Sequence, residues 1–464
     1  MKRDMSLSDL GQRFADNLTI IARHAEAQQA VQQNGMVVAY SGGLDSTVLL
    51  HLAKAYCEGR QIPLHAFHVH HGISKNADAW LEHAKAECDA LNVTLAYAKV
   101  SIAGAGDGVE AEARELRYRA LGQYCQQNGI GLLLTAHHQD DQAETILMQL
   151  LRGSGVSGLS GMDMASRAPA LTGSDDLLIG RPLLDISRRT LEACARERGL
   201  SYVNDESNQD DRYLRNAIRL RVMPVLEQLQ PGALACITRS GRHMAAADGL
   251  IRTVLKQDYQ RCDKDGLLDT CELKKLPENR SGLVLREWLR RQAVRMPSEA
   301  RLNEILKQIL HARQDAQVTI RHDGIGIHRY HDRLYISDGG EGDAATDGHE
   351  MIWRWNGEER LYLPGFKGAL IFRREAFGLD PAWLQNFPLN IHPRKGGERL
   401  KTHAQRPARD MKAHYQSLGI PFWMRGRLPY ISVGQNLIFA AGVGMDVRFC
   451  SAGEDRIQID WLQE

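Results

Sequence analysis

The stretch "VVAYSGGLDSTVLLHLA" (residues 37–53) decides the fold of the first part of the chain. The run 36–40 is short and apolar, and Gly42 and Gly43 follow it, which is typical of a buried strand that enters a tight turn. From Thr47 onward, apolar residues recur at helical spacing, so the stretch predicts a strand, a turn and a helix. Small side chains in such a turn let backbone N–H groups face outward beside the positive end of the helix dipole. The sequence therefore predicts a phosphate-binding turn.

The side chains of this turn distinguish it from the commoner phosphate loop. A Walker-type loop needs a lysine after its second glycine, and the turn has none. Ser41 and Ser46 offer hydroxyls instead, and Asp45 offers a carboxylate suited to Mg²⁺. An ordinary strand-to-helix turn with a capping Ser or Asp is the alternative. The full Ser-Gly-Gly-x-Asp-Ser string favours a nucleotide site, because it resembles the PP-loop of ATP pyrophosphatases.

Length and composition limit the classes of protein that remain. At about 150 residues per domain, 464 residues predict about three domains. The net charge is only +1, so a nucleic-acid surface would come from local segregation of charge. No apolar stretch has membrane-spanning length, and the N-terminal sequence lacks a signal-peptide pattern. We therefore expect a cytoplasmic protein with no membrane partner.

Strand-like and helix-like segments alternate after the first turn. Strand-like segments begin near 63, 93 and 130, and helix-like segments cover about 76–91, 109–127 and 140–151. This alternation predicts an α/β fold with a doubly wound, Rossmann-like parallel sheet covered by helices on both faces. An amphipathic segment before Gly35 predicts an added helix packed on this domain. Ligands of such sheets bind at the carboxyl ends of the strands.

Polar clusters follow two of the predicted strands. Three acids, Asp140, Asp141 and Glu144, open the helix after the fourth strand, where the helix dipole alone would favour them. Acids beside a phosphate loop repel ATP unless a cation lies between them, so we favour a functional role. Zinc binding is disfavoured, because neighbouring histidines point in different directions and no cysteine accompanies them. These histidines are His68, His70, His71, His137 and His138.

Arginines mark two further segments. Arg114 lies four residues after Glu110 on a predicted helix, which is compatible with a surface ion pair. A second group lies at positions i, i+3 and i+7 of a predicted helix and consists of Arg212, Arg215 and Arg219. Such a stripe suits a phosphate backbone, although a solvated helix face is the ordinary explanation.

Seven motifs together resemble the tRNA(Ile)-lysidine synthase family, in order and spacing, over residues 36–224. They are "SGGLDSTVLL", "HVHHGIS", "VEAEARELRY", "AHHQDDQAET", "RGSGVSGLSGM", "RPLLD" and "DESNQDDRYLRNAIRLRVMP". Residues 395–431, "KGGERLKTHAQRPARDMKAHYQSLGIPFWMRGRLPYI", are similar to the C-terminal tRNA-binding domain of that family. Its pattern often has a lysine pair after the glycines, where this chain has Glu398 and Arg399.

The resemblance implies a specific reaction and a set of residue roles. The family adenylates the carbonyl oxygen at carbon 2 of the wobble cytidine in tRNA(Ile) with a CAU anticodon, and the ε-amine of L-lysine then displaces AMP. The implied ATP-binding residues are Ser41, Gly42, Gly43, Leu44, Asp45 and Ser46. The implied Mg²⁺ ligands are Asp45 and Asp140, and the implied lysine-binding residues are Asp141 and Glu144. Catalytic roles fall on Asp45, Arg114, Asp140 and Asn216, with Arg114 and Asn216 positioning the cytidine or stabilising the adenylate.

The segment 391–427 is strongly basic. It holds nine Lys or Arg residues against Glu398 and Asp410, a net charge of +7. Three aromatic residues, Tyr415, Phe422 and Trp423, are interleaved, which favours RNA contact over a merely solvated basic surface. The predicted tRNA contacts here are Arg399, Lys401, Arg409 and Lys412, in addition to the three arginines at 212–219.

These features predict three domains. Residues 1–224 form the catalytic domain with its N-terminal helical extension, residues 225–340 a mainly helical tRNA-binding domain, and residues 351–464 a small, basic α+β tRNA-binding domain. Residues 337–348, "SDGGEGDAATDG", are interpreted as a flexible linker. The sequence leaves a homodimer open.

Two other functions were weighed against a lysidine synthase. A tRNA thiolase of the PP-loop class would use paired cysteines, whereas the eight cysteines here include no Cys-x-x-Cys pair and are interpreted as buried thiols. A non-catalytic tRNA-binding protein with a degenerate nucleotide fold would have lost acids such as Asp45 or Asp140, and both are present.

Overall fold

The strand predicted before Gly42 forms as Met36–Ala39 and lies inside a mostly parallel sheet. The structure, a computed structural model, describes residues 6–22, 31, 34–70, 72, 75–101, 109–206, 211–313, 318–338 and 350–463. By its internal contacts the chain divides into two units, Met1–Arg252 and Thr253–Glu464, which are described separately below. The three-domain division stays a prediction.

The sheet of the first unit has six strands within the residues that the structure describes. They are β1 (Met36–Ala39), β2 (Leu64–His70), β3 (Thr94–Lys99), β4 (Leu132–Leu134), β5 (Ala165–Arg167) and β6 (Leu178–Gly180). Their order is β3-β2-β1-β4-β6-β5, and every neighbouring pair is parallel except β5 with β6. The predicted doubly wound α/β fold is confirmed.

The strand order places the carboxyl ends of β1 and β4 side by side. Val37 and Val38 of β1 pair with Leu133 and Leu134 of β4 in parallel register. The chain runs outward from β1 to β3 and then returns to β4 on the other side of β1, so the order reverses at β1. Ligands of open α/β sheets bind at such a reversal.

Helices follow strands β1 to β4 where the sequence predicted them. The helices that begin in the first unit are α1 (Leu7–Ala22), α2 (Leu44–Glu58), α3 (Ala77–Ala90), α4 (Val109–Gln127), α5 (Gln139–Leu151), α6 (Val156–Leu159), α7 (Pro169–Thr172), α8 (Arg188–Glu197), α9 (Leu214–Ala217), a π-helix (Ile218–Val222), α10 (Met223–Leu229) and α11 (Ala233–Cys262). Among the helices that the structure describes throughout the chain, none is long and apolar enough to cross a membrane.

The predicted N-terminal helix is present as α1. Leu10, Phe14, Leu18 and Ile21 lie on one face of it, and all four side chains are buried in the main core of the first unit. The spacing of three to four residues between them is the helical period that the sequence showed.

The second unit begins with helices and a small antiparallel sheet. The helices are α12 (Thr270–Lys274), α13 (Glu278–Arg291) and α14 (Glu299–His311). The strands are β7 (Asp263–Lys264), β8 (Leu267–Asp269), β9 (Val318–His322), β10 (Ile325–Tyr330) and β11 (Arg333–Asp338), in the order β7-β8-β11-β10-β9. The helical character of this region is confirmed.

The sheet β7–β11 was not predicted, although the sequence contained a signal for it. Two of its hairpin turns are Asp-Gly pairs, 265–266 and 323–324, and all four residues have positive φ. Asp-Gly between short apolar runs is a strong hairpin signal, because both central residues of the favoured turn need positive φ.

The end of the second unit has the predicted α+β composition. Its strands are β12 (Met351–Trp353), β13 (Arg360–Leu363), β14 (Gly368–Gly378), β15 (Leu389–His392), β16 (Arg399–Leu400), β17 (Arg409–Asp410), β18 (Tyr430–Val433), β19 (Asn436–Ala440), β20 (Gly444–Met445) and β21 (Ser451–Gln463). Its helices are α15 (Pro381–Asn386), α16 (Met411–Ser417) and α17 (Phe422–Arg425), with a 3₁₀ turn at Pro364–Phe366. Both the β12-β15-β18-β19-β20 and the β13-β14-β21 sheets are antiparallel.

The predicted linker can be located only in part. Ser337 and Asp338 end strand β11, and residues 339–349 lie outside the described residues. On either side of this gap, the two parts of the second unit touch through aromatic rings. The ring of His328 stacks on Trp423 with centroids 4.1 Å apart, and Tyr330 Oη donates to Ile420 O at 3.4 Å.

We predict that Trp288 is a main source of stability for the second unit. Its side chain is 1 % exposed, and its Nε1–H donates to Gly266 O at 3.1 Å. Trp288→Ala should lower the free energy of unfolding by about 3–5 kcal/mol because it leaves a cavity. Trp288→Phe keeps most of the volume and loses one hydrogen bond to Gly266 O, which Gln292 Nε2 still reaches at 3.2 Å, so it should cost only about 0.5–1.5 kcal/mol. Urea unfolding followed by circular dichroism measures both, and equal losses would contradict this assignment.

Candidate functional site

The turn between β1 and α2 has the geometry of an anion cradle. Gly42 has a φ of +82°, which glycine adopts without strain, and its carbonyl accepts the Val203 N–H at 2.9 Å. Ser46 Oγ donates to Gly43 O at 2.9 Å and lies 3.0 Å from Ser41 Oγ. Gly43 is the N-cap of α2 and offers no side chain to its first N–H groups. These N–H groups can therefore bind an outside acceptor.

Asp45 and Asp140 approach the same buried histidine. His138 is 1 % exposed; its Nε2 lies 3.6 Å from Asp45 Oδ2, and its Nδ1 lies 3.8 Å from Asp140 Oδ2. Asp140 Oδ2 also accepts the Arg188 N–H at 2.9 Å. Asp45 Oδ1 is buried and has no hydrogen-bond partner among the described residues. The acids predicted to share a metal thus come together around His138, which sequence reasoning had set aside as an unproductive zinc ligand.

His138 also caps helix α5. Its ring accepts the Asp141 N–H at 3.4 Å, and Asp141 Oδ2 accepts the His138 N–H at 3.0 Å, which together form a capping box. Burial alone would lower the pKa of His138, but the carboxylates of Asp45, Asp141 and Asp140 raise it above its ordinary value.

Asp141 and Glu144 form a buried network with Arg215 and Arg219, called below the four-charge network. Arg215 donates from Nη2 to Asp141 Oδ1 at 2.9 Å and from Nε to Glu144 Oε2 at 2.8 Å. Arg219 donates to Asp141 Oδ1 at 3.0 Å, to Glu144 Oε1 at 2.6 Å and to Glu144 Oε2 at 3.1 Å. Two positive and two negative charges cancel in this network.

The network changes the protonation of its members. Burial alone would raise the pKa of Asp141, but the charges of His138 and Arg215 lower it to about 2. Burial alone would lower the pKa of Arg219, but its hydrogen bond with Glu144 raises it. Both groups are therefore charged at neutral pH.

The predicted arginine stripe on one helical face is wrong. Helix α9 begins at Leu214, so Arg212 precedes it, and Arg219 lies in the π-helix. Arg212 is exposed, whereas the side chains of Arg215 and Arg219 are 27 % and 25 % exposed because they turn inward to the acids. Sequence spacing cannot show this, because an inward arginine needs an acidic partner from a distant helix.

Further cations surround His137. Arg114 is exposed and lies over the Tyr118 ring, 5.0 Å from its centroid. Arg181, which the sequence reasoning did not assign, is buried directly after β6 and donates from Nη1 to Asp163 O at 2.8 Å. Burial lowers the pKa of His137 to about 3, and the charges of Arg181 and Arg114 contribute to this shift, so its ring is neutral at pH 7. Asn216, the other predicted catalytic residue, is partly buried in α9.

The basic residues predicted to bind tRNA lie around the β16–β17 ladder. Arg399 and Arg409 are exposed in these strands, Lys412 is exposed in α16, and Lys401 is half-buried directly after β16. Arg399 Nη2 donates to Ala408 O at 2.7 Å, within the same hairpin. All four residues lie in or next to the paired strands β16 and β17. Together they form a basic surface on which a polyanion can lie.

The interleaved aromatic residues are not all available to RNA. Tyr415 is fully buried, and its Oη donates to Ala441 O at 3.2 Å, so its ring offers no face to RNA and does not support the predicted RNA contact. Trp423 is half-buried and covers His328. The spacing from Met411 to His414 and Tyr415 is that of the buried face of a helix, so the sequence does contain a signal for the burial of Tyr415 in α16.

The eight cysteines all lie in the described residues and are all free thiols. Five of them are buried, namely Cys57, Cys88, Cys125, Cys194 and Cys262, whereas Cys271 is exposed. Burial raises the pKa of Cys57 to about 11 and that of Cys88 to about 12. Such thiols are poor nucleophiles at neutral pH.

Comparison with known proteins gives a consistent result across the chain. Residues 17–226 match the family model of a PP-loop domain, residues 268–335 that of a TilS substrate binding domain, and residues 389–461 that of a TilS substrate C-terminal domain. The chain is similar to the tRNA(Ile)-lysidine synthase of Ralstonia nicotianae, with 39 % identity over 89 % of each chain. It is also similar to those of Burkholderia pseudomallei, with 37 % identity over 89 % of each chain, and Shigella flexneri, with 34 % identity over 94 % of this chain and 98 % of the other.

We predict that the four-charge network is a strong local determinant of stability. Glu144→Gln removes the negative charge that accepts three hydrogen bonds from the guanidinium groups of Arg215 and Arg219. It should therefore lower the free energy of unfolding by about 3 kcal/mol. Glu115→Gln is the matched control, because Glu115 pairs with Arg119 on the surface and should contribute less than about 0.5 kcal/mol. Urea unfolding measures both variants, and a similar small loss for each would contradict the prediction.

Proposed function

The chain belongs to the tRNA(Ile)-lysidine synthase family, and from this premise we propose that it joins L-lysine to carbon 2 of the wobble cytidine of tRNA(Ile) with a CAU anticodon. Family membership and the PP-loop domain make it an ATP-dependent ligase. The product base, lysidine, pairs with A, so the modified anticodon reads AUA instead of AUG.

The observation that carries the proposal is the pairing of an anion cradle with a buried, unpartnered carboxylate oxygen. The turn at Gly42 offers N–H groups to phosphate, and Asp45 Oδ1 in the first turn of α2 has no partner among the described residues. A carboxylate directly beside triphosphate is repulsive unless a cation lies between them. ATP with a divalent cation satisfies both groups.

The acids fit Mg²⁺, and we assign Asp45 and Asp140 as its ligands. Mg²⁺ is usually held by one or two carboxylates together with waters and substrate phosphates. When bound there, the ion would neutralise charge on the phosphates.

The proposed reaction has two steps. In the first, the C2 oxygen of the cytidine forms a bond to the α-phosphorus of ATP, and the bond to the β-phosphate breaks to release pyrophosphate. In the second, the lysine ε-amine bonds to C2, and the C2–O bond breaks with AMP as leaving group. A free lysine amine has a pKa near ~10.4, so it loses a proton before it attacks.

The chain's own residues position these reactants in the proposal. The cradle of Ser41, Gly42, Gly43, Leu44, Asp45 and Ser46 binds the phosphates of ATP. Arg114 lies near the neutral ring of His137, and Asn216 lies on α9. In the proposal, these two residues position the cytidine or stabilise the adenylate. Asp141 and Glu144 bind the lysine ammonium, although both carry guanidinium partners in the structure.

Recognition of tRNA is proposed for the middle and C-terminal regions, 225–340 and 351–464. The segment 391–427 carries a net charge of +7, and Arg399, Arg409 and Lys412 are exposed on it. Arginine and lysine on an open surface suit the phosphate backbone. Arg212 is likewise exposed and stays a proposed contact.

Incorporation of label tests the proposed function directly. The full chain is incubated with ATP, Mg²⁺, radiolabelled lysine and CAU-anticodon tRNA(Ile), and the tRNA is precipitated and counted. Label should enter the tRNA only when ATP is present. A matched tRNA whose wobble cytidine is replaced by uridine should stay unlabelled, and absence of label in the CAU tRNA would overturn the proposal.

Asp45→Asn should reduce tRNA-dependent pyrophosphate release by at least about 100-fold, because it removes a charge that holds the cation at the phosphates. The fold should survive, since Asp45 Oδ1 makes no hydrogen bond and asparagine keeps an oxygen that can stay beside His138 Nε2. Asp16→Asn, on the exposed face of α1, is the control and should release pyrophosphate as the unmodified chain does. Near-normal release by Asp45→Asn would contradict the assignment.

The double variant Arg409→Ala, Lys412→Ala should weaken tRNA binding and its dependence on salt. Each phosphate contact contributes about 0.7–0.9 to the slope of log affinity against log salt, so the slope should fall by about 1.4–1.8. Lys85→Ala, Arg119→Ala removes one half-exposed and one exposed cation from ion pairs elsewhere and should leave the slope unchanged. Titrations at several salt concentrations would refute these contacts if both double variants behave alike.

A further inference from the structure

Asn17 is a buried polar residue on the apolar face of α1. It is 1 % exposed and lies between Phe14 and Ile21, which are buried in the main core of the first unit. A buried amide is costly unless it makes hydrogen bonds. Asn17 Nδ2 donates to Pro182 O at 2.8 Å and to Asp185 Oδ1 at 2.7 Å. This side chain therefore binds α1 to the chain segment that contains Pro182 and Asp185.

That segment joins β6 to α8 and consists of residues 181–187, called below the β6–α8 connection. Arg13 of α1 also donates to it, from Nε to Asp185 Oδ2 at 2.7 Å. Apolar packing adds to these bonds, because Leu183 and Ile186 are buried in the same core as the apolar face of α1. Helix α1 thus holds both carboxylate oxygens of Asp185 and the apolar residues beside it.

The end of the β6–α8 connection contacts the start of α5. Because β4 and β6 are parallel neighbours, the segments that follow them lie next to each other. Ile186 O accepts the Gln139 N–H at 2.9 Å, and the Arg188 N–H at the start of α8 donates to Asp140 Oδ2 at 2.9 Å. Asp140, proposed above as a Mg²⁺ ligand, is therefore oriented by a backbone donor that lies three residues after Asp185.

A carboxylate that binds a metal ion gains from a fixed orientation. The Asp140 side chain is 23 % exposed, so water alone would leave it several rotamers. The hydrogen bond from the Arg188 N–H reduces this freedom before the ion arrives, and less entropy is then lost on binding. Loss of a hydrogen-bond partner of a metal ligand typically costs about 10- to 100-fold in metal affinity or activity. Movement of the β6–α8 connection would therefore affect the metal site.

We propose that Asn17 and Asp185 are positioning residues for Asp140, and that α1 supports the reaction by holding the β6–α8 connection in place. This inference rests on the proposed function and gives the N-terminal helix a role in it. Neither residue belongs to the predicted ATP-, lysine- or tRNA-binding sets, and both act through the backbone N–H of Arg188. The alternative is that α1 only covers the core, in which case any loss of its packing would have the same effect.

Hydrogen–deuterium exchange of the free full chain, without ATP, Mg²⁺ or tRNA, tests the structural part of this proposal. Asn17→Ala removes two hydrogen bonds to the connection, so amides in peptides covering 181–190 should exchange about tenfold faster, whereas those of β1 and β4 should keep their rates. Phe14→Leu is the matched control, because Phe14 lies on the same buried face but contacts Tyr56 of α2, with ring centroids 6.2 Å apart. It should lower the melting temperature without a local change at 181–190. Unchanged exchange of these peptides in Asn17→Ala would overturn the proposal.

The Mg²⁺ requirement of pyrophosphate release tests the functional part. In Asn17→Ala, the Mg²⁺ concentration for half-maximal tRNA-dependent release should rise about three- to tenfold, which is less than the loss of a direct partner of a metal ligand would cause. The KM for tRNA should stay the same, because the β6–α8 connection contains none of the proposed tRNA contacts. An unchanged Mg²⁺ requirement, or an equal rise in Phe14→Leu, would overturn the proposal.

Variants of Asp185 guard against an Asn17→Ala chain that does not fold. Asp185→Ala removes the acceptor of both Asn17 and Arg13, so it should raise the Mg²⁺ requirement as Asn17→Ala does. Asp185→Asn keeps an oxygen that can accept from Asn17, so it should restore most of the unmodified behaviour. Failure of Asp185→Asn to restore it would separate the effect from the hydrogen bond with Asn17 and would overturn the proposal.

The label assay distinguishes this inference from the proposed function. If the unmodified chain incorporates lysine into tRNA but Asn17→Ala keeps its exchange rates and its Mg²⁺ requirement, the positioning role is wrong and the ligase activity stands. If the unmodified chain incorporates no lysine at all, the proposed function itself is wrong.

Discussion

The parallel pairing of β1 with β4 is the constraint on which the site depends. Val37 and Val38 are hydrogen-bonded in register with Leu133 and Leu134, so the two strands end at the same edge of the sheet. The turn after β1 supplies the anion cradle and Asp45, while the segment after β4 supplies His138 and the acids of α5. About ninety residues separate these groups in the chain, and only the strand order brings them together.

The acids that the sheet brings together are held mainly by partners of opposite charge or by N–H donors. Most buried carboxylates of the site have a partner: Asp140 has the Arg188 N–H, and Asp141 and Glu144 have two arginines. Asp45 Oδ1 is the exception among the site acids that the structure describes. Its other oxygen, Oδ2, lies 3.6 Å from His138 Nε2. A buried carboxylate oxygen without a partner is costly, and in the proposed function a cation that arrives with the nucleotide would satisfy it.

The sequence predicted local structure better than the partners of side chains. The strand, turn and helix around Gly42 follow from spacing and glycine alone, and α1 follows from the helical period of its apolar residues. The inward turn of Arg215 and Arg219 could not be predicted, because it depends on acids about seventy residues earlier in the chain. Tyr415 and the Asp-Gly hairpins were predictable from periodicity and turn chemistry, but composition drew attention to charge instead.

The most direct measurement follows the oxygen atom on carbon 2 of the wobble cytidine. CAU-anticodon tRNA(Ile) that carries ¹⁸O at this position is incubated with the full chain, ATP, Mg²⁺ and lysine, and the released AMP is examined by mass spectrometry. If the cytidine oxygen is adenylated and lysine displaces AMP, the ¹⁸O should leave in the phosphate of AMP, one atom for each lysidine formed. Lysidine formation with AMP that contains no ¹⁸O would contradict the adenylated cytidine.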